Sequence, residues 1–160
     1  MPLLSIVQWP DPRLATPCAP VGAVTPAVRA LAADMLETMY AAPGRGLAAP
    51  QVGILQRIFV MDVTWKDGPR TPMVLIDPEV VWQAETRVVG PEGCLSIPGV
   101  LADVERAASI RLVWTDLSGD RVEAVLDGFA AICAQHELDH LDGIVTLDRL
   151  SAEDRTKVLA

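Results

Sequence analysis

Histidine is scarce in this chain: its 160 residues include only two, His136 and His140. Basic residues are also few, 13 Lys and Arg against 21 Asp and Glu, for a formal charge of −8. That balance excludes a nucleic-acid binder relying on its own electrostatics, because phosphates need Lys and Arg. No apolar run is long enough to span a bilayer, so no membrane partner is expected. The N-terminal stretch MPLLSIVQWPDPRL has no basic segment before its apolar residues and does not read as a secretory signal. The expectation is a cytoplasmic protein. Cysteine numbers only three, Cys18, Cys94 and Cys133, and an odd count argues against a disulfide framework. Repeats and low-complexity tracts are missing altogether.

Apolar residues, by contrast, make up 51% of the chain, which excludes disorder. The length suits one domain, 1–160, with a real core. The clearest helix is TPAVRALAADMLETMYAAPG. Thr25 can cap it, Pro26 suits its first turn, and Val28, Leu31, Ala32, Met35 and Met39 fall on one face. Pro43 and Gly44 end it. Strand-like runs follow at 57–63, 73–81 and 108–117, the last joined to 121–126 by a Ser118-Gly119-Asp120 turn. A second helix is expected over 129–142, closed by Gly143. Ser151 with Asp154 suits the start of a short terminal helix. Helix, then strands, then helix favours an α+β fold.

Both histidines fall in the stretch QHELDHLDG. Helical residues four apart share a face, so His136 and His140 can reach one metal ion. Glu137, next to the first of them, can take a proton from water at that ion. Open metal sites take three protein ligands. Cys133 lies on the same helical face, but seven residues from His140 is about 10 Å of rise, too far for one ion. It packs near the site instead. Cys94 is the better third ligand, in the sharply turning segment GPEGCLSIPG. In GRGLAAPQVG, residues 44–53, Gly44, Gly46 and Ala49 mimic a dinucleotide fingerprint, but they follow a helix rather than a strand. Those glycines let backbone approach a ligand closely. Gln51 offers an amide to an oxyanion, although an exposed loop glutamine fits this evidence equally well.

These stretches, in this order, resemble the peptide deformylase family, whose motifs stand here as GRGLAAPQ, EGCLS and QHELDHL. The similarity extends through WPDPRL, DMLETMYAAPG, VLIDPE and LDRLS. The resemblance implies an α+β fold with antiparallel sheets around a central helix bearing both histidines. It implies Cys94, His136 and His140 as metal ligands, Glu137 as general base then acid, and Gln51 with the Leu95 N–H as oxyanion donors. The implied reaction removes the N-formyl group from the initiator methionine of new chains and releases formate. The implied metal is Fe(II), replaceable by zinc, nickel or cobalt. Gly44, Arg45, Gly46, Gly90, Glu92, Phe129, Ile132 and Cys133 are the expected substrate neighbours, the last three being equally core residues.

Departures from the family's pattern are instructive. Relatives often have Ile or Val at Arg45, an apolar residue at Gly90 and a second Glu at Pro91. Many have a substrate-contacting Arg where Leu101 stands. These leave side-chain preference open. Arg106 matches a recurrent arginine, with a structural ion pair as its expected role. The last ten residues hold two acids and two bases, so ribosome docking through a basic tail is not expected. Alternative readings are a deformylase-like paralogue with an altered substrate, a deformylase-like metal-binding protein without turnover, and a zinc endopeptidase, which shares the helical histidine pair.

Overall fold

The computed structural model describes residues 3–160. Helix α1 spans Pro26–Ala41. The Thr25 hydroxyl accepts from Val28 N–H (3.3 Å), filling one of the donors a helix start leaves open. Val28, Ala32, Met35 and Met39 are buried along one face, and Leu31 is half-buried beside them.

Strands β1 (Gly46–Ala48), β2 (Ile58–Met61) and β3 (Met73–Gln83) are followed by β4 (Arg87–Cys94) and β5 (Ile97–Ala107), then β6 (Ser109–Thr115) and β7 (Arg121–Asp127). Five of these form one antiparallel sheet in the order β1-β2-β3-β6-β7, while β4 and β5 form a separate hairpin. The β6–β7 connection turns at Gly119, whose φ of +86° a residue with a Cβ rarely adopts.

Alternation along β2 divides the core. Ile58 and Val60 face α1 with Ile76, whereas Phe59 and Met61 face the opposite side with Leu75 and Leu112. Successive strand side chains point to opposite faces, so a sheet covered on both sides has all four β2 residues buried.

Helix α2 (Gly128–Leu141) covers that second face. Ala131, Ala134, Leu138 and Leu141 pack on Phe59, Leu75 and Trp114. The helix also touches β5 of the hairpin. It is therefore buried almost all round from Cys133 onward, the expected environment for a helix that carries a site rather than a solvent face. Gly143, at φ +77°, ends it. A Cβ there would come within 2.9 Å of the Ala15 backbone, so packing as well as backbone conformation requires glycine. Helix α3 (Ala152–Leu159) starts as expected, with the Ser151 hydroxyl accepting from Asp154 N–H (3.1 Å). Among the described residues no helix is long and apolar enough to cross a membrane.

The antiparallel sheets and three helices make the α+β fold expected from the sequence. Two stretches depart from that reading: Gly46–Ala48 forms a strand, β1, and GPEGCLSIPG, read as a sharply turning segment, is the closed end of the long β4–β5 hairpin. Pro91 fits because each strand of a two-stranded sheet has an open edge, where a missing N–H is tolerated.

Candidate metal centre and active site

Two elements converge here. On α2, His136 and His140 sit one turn apart, their ring centroids 5.0 Å from each other. From the hairpin, Cys94 closes β4 immediately before the two-residue turn Leu95-Ser96. The N-terminal segment clamps that turn: Trp9 N–H donates to Ser96 O (2.9 Å) and Gln8 Nε2 to Leu95 O (3.2 Å). Cys94 Sγ lies 3.4 Å from His140 Nε2. The three donor atoms of Cys94, His136 and His140 all fall within 4.8 Å of one another. Ligand atoms bound to one tetrahedral ion are about 3.5 Å apart for bonds of ~2.0–2.3 Å, so the set fits a divalent metal. Cys133 stays out of it. Its thiol is buried 3.7 Å from the Arg45 carbonyl, and burial raises its pKa.

His136 is held by a chain of charged neighbours, whereas the Nδ1 of His140 is buried without a hydrogen-bond partner among the described residues. His136 Nδ1–H donates to Glu92 Oε1 (3.0 Å), which turns Nε2 toward the other donors. Glu92 also accepts two bonds from Arg106, Nε to Oε2 and Nη2 to Oε1, both 2.9 Å. Arg106 Nη1 donates to Asp139 Oδ2 (2.6 Å), and Asp139 is gripped in turn by Arg149 at 3.0 and 2.6 Å. Burial alone would raise the Glu92 pKa, but Arg106 and then His136 outweigh it and bring it down to about 2. The structural ion pair expected for Arg106 is present.

Glu137 is different. It is 3% exposed and its Oε1 has no hydrogen-bond partner among the described residues. Burial pushes its pKa up to about 7; the charge of His136 opposes this and that of Glu92 adds to it. Gly46 is what lets the carboxylate sit there. A Cβ at that position would collide with Glu137 Oε2 and approach Cys133 Sγ to 2.9 Å.

Gln51 is buried on a 3-10 turn, Ala49–Val52. Ala48 N–H donates to its Oε1 (2.9 Å), which fixes the amide so that Nε2 points at Ser96 Oγ (3.1 Å) and Cys94 Sγ (3.7 Å). Gln51 is therefore a buried, tethered glutamine and not an exposed loop residue.

A cavity of about 580 Å³ opens onto these groups. Of the expected substrate neighbours, Gly44, Arg45, Gly46, Glu92, Phe129, Ile132 and Cys133 line it, as do Gln51, Leu95 and Leu101. Gly90 does not; it pairs with Val104 along β4, away from the cavity wall. Lys66, Ser96, Asp139 and Arg149 were not singled out from the sequence. Only Asp139 carried a signal, standing three residues after the first ligand on the same helix face.

The sequence pattern of the family described as polypeptide deformylase matches residues 3–156. The peptide deformylase of Alkalilimnicola ehrlichii is 50% identical over 158 residues, 99% of this chain and 88% of that one. The crystal structure of a peptide deformylase from Synechococcus elongatus, in complex with actinonin, superposes with a TM-score of 0.94 at 39% identity, covering 99% and 87% of the two chains. That from Thermotoga maritima gives 0.88 at 40% identity, covering 94% and 99%. Match, identity and architecture agree, and the chain belongs to the polypeptide deformylase family, metal-dependent hydrolases that remove N-formyl groups from newly made polypeptides.

Proposed function

We propose that Cys94, His136 and His140 hold one divalent ion, and that Glu137 moves the proton as this enzyme hydrolyses formyl-methionyl peptides. The observation carrying this reading is the carboxylate of Glu137: buried, without a partner at Oε1 among the described residues, and lining the same cavity as the Cys94 thiol. When bound, the ion supplies Lewis acidity that activates water near neutral pH. Glu137 accepts the proton of the attacking water and returns it to the leaving amine, a service worth ~10²–10⁴ in rate. A general base works best with a pKa near the working pH, and burial of Glu137 pushes it in that direction.

Gln51 Nε2 and the Leu95 N–H act as donors to the carbonyl oxygen as negative charge grows on it. Because Gln51 is already tethered by Ala48 and Ser96, little reorganisation is needed when the charge forms. Gly46 leaves the space that the Glu137 carboxylate fills, and Gly44 the space that the Leu95 side chain takes, both on the cavity wall. Phe129 and Ile132 offer apolar surface to the methionine side chain. Glu92 serves through His136, since both its oxygens are already engaged. The Cys/His set suits iron, zinc, nickel and cobalt; Fe(II) is the ion the resemblance implies. The chain works as one catalytic domain, without ribosome docking through α3, which carries as many acids as bases.

The test is formate release from formyl-Met-Ala by protein loaded with Fe(II) without oxygen. We expect turnover, and we expect Glu137→Gln to bind metal with unchanged stoichiometry yet release no formate. Metal-loaded protein that yields no formate would overturn the reading, and cleavage of internal peptide bonds would replace it with an endopeptidase.

A further inference from the structure

The mouth of the cavity is basic in an otherwise acidic protein. Arg45 and Lys66 both line it, although acids outnumber bases 21 to 13 in the chain. The two acids lining the cavity, Glu92 and Glu137, are buried beside the metal ligands, and Glu92 is neutralised by Arg106. They do not cancel the charge at the rim.

Neither basic group is committed to the fold. Arg45 Nε is buried without a hydrogen-bond partner among the described residues. Its guanidinium lies 5.3 Å over the ring of Phe129, another cavity residue. Its one carboxylate neighbour among the described residues is Asp67, at 3.7 Å and 87% exposed, an arrangement worth little against solvent and salt. Lys66 makes no ion pair among the described residues; its ammonium lies 5.8 Å from the Trp65 ring. The loop presenting it is anchored. Trp65 Nε1 donates to Gly44 O (2.9 Å) and its ring packs edge-on against Tyr40. The two cations are therefore held at the mouth of the cavity with free donors.

We propose that Arg45 and Lys66 make this enzyme prefer peptides with an acidic side chain just after the formylated methionine. A guanidinium stacked on an aromatic ring keeps its fork of donors free for a carboxylate, and a second cation nearby raises the local potential. The inference rests on the deformylase reading above and deepens it.

The experiment compares formyl-Met-Ala-Ala with peptides carrying Asp or Lys at the second or third position. For the better Asp peptide we expect kcat/KM about three- to tenfold higher than for the neutral one, carried by KM, as for a partly exposed charge pair. Lys peptides should fall below the neutral one. Raising salt should narrow the spread, because screening acts within ~10 Å at 0.1 M. Arg45→Gln should reduce the Asp-to-Ala ratio toward one, Arg45→Glu should reverse the order of Asp and Lys peptides, and Lys66→Gln should give a smaller loss than Arg45→Gln. Efficient turnover with equal kcat/KM for Asp, Ala and Lys peptides would overturn this inference and leave the deformylase reading intact. If no peptide yields formate, the deformylase reading fails. Calorimetric binding of unformylated Met-Asp-Ala against Met-Lys-Ala then decides the charge preference: tighter binding of the acidic peptide supports it, equal binding overturns it.

Discussion

Replacing Arg106 with methionine tests how the metal ligands are held. The change keeps length and apolar bulk but removes three hydrogen bonds, two to Glu92 at 2.9 Å and one to Asp139 at 2.6 Å. All three side chains are buried, at 4%, 6% and 10% exposure for Arg106, Glu92 and Asp139. Asp139 keeps the bidentate grip of Arg149, whereas Glu92 keeps only His136. One buried carboxylate thus loses its counter-charge. Breaking such a pair by removing one partner costs about 3–5 kcal/mol, and the retained Arg149 argues for the lower part, about 3–4. At ~2–4 °C per kcal/mol for a domain of this size, the melting temperature should fall by about 6–16 °C. The assay is thermal unfolding of the metal-free proteins at pH 7, followed by circular dichroism. Adding Glu92→Leu should recover at least half of the loss, because the stranded charge is then gone. A fall under about 3 °C, or a double variant no better than the single one, would mean the network is worth no more than screened surface pairs, and the reasoning would be wrong.

Two further outcomes follow from the same geometry. Gln51→Ala should lower kcat about 10²–10³-fold at unchanged metal content, measured by formate release; unchanged kcat would remove Gln51 from the reaction. Tyr40→Phe deletes the 2.6 Å bond from the phenol to Asp62 and should cost about 1–2 kcal/mol in urea unfolding. Burial, then Asp62, pushes the Tyr40 pKa up from 10 to about 12. The fold therefore favours the protonated phenol. Its contribution is complete below pH 10 and is lost as pH rises from 10 toward 12, a loss the phenylalanine variant should lack.

Much of the site was legible because its information is local. The His136–His140 spacing needs only helical periodicity, and Ser151 announces α3 three residues ahead of its partner. Cys94 was found through the density of Gly and Pro around it, yet that same density hid the β4–β5 hairpin. Gly90, Pro91, Gly93, Pro98 and Gly99 erase the two-residue alternation that marks a strand. Strand β1 was missed for a related reason: Gly-Leu-Ala is short and buried, with no polar face to alternate. The network through Glu92, Arg106, Asp139 and Arg149 draws on four separate elements, so no spacing rule reveals it. Lys66 is an ordinary loop lysine until Trp65 binds Gly44 and brings it to the cavity mouth. Gln51 was half legible, since its position was noted but its orientation depends on Ala48 and Ser96.

The central claim is that one thiolate and two imidazoles, brought together from a hairpin and a helix, bind a single ion. X-ray absorption at the metal edge of the zinc-loaded protein measures this directly. We predict a first shell with one sulfur at about 2.3 Å and two imidazole nitrogens at about 2.0–2.1 Å, the sulfur vanishing in Cys94→Ser. A shell without sulfur in the unmodified protein, or a spectrum indifferent to loss of Cys94, would contradict the account.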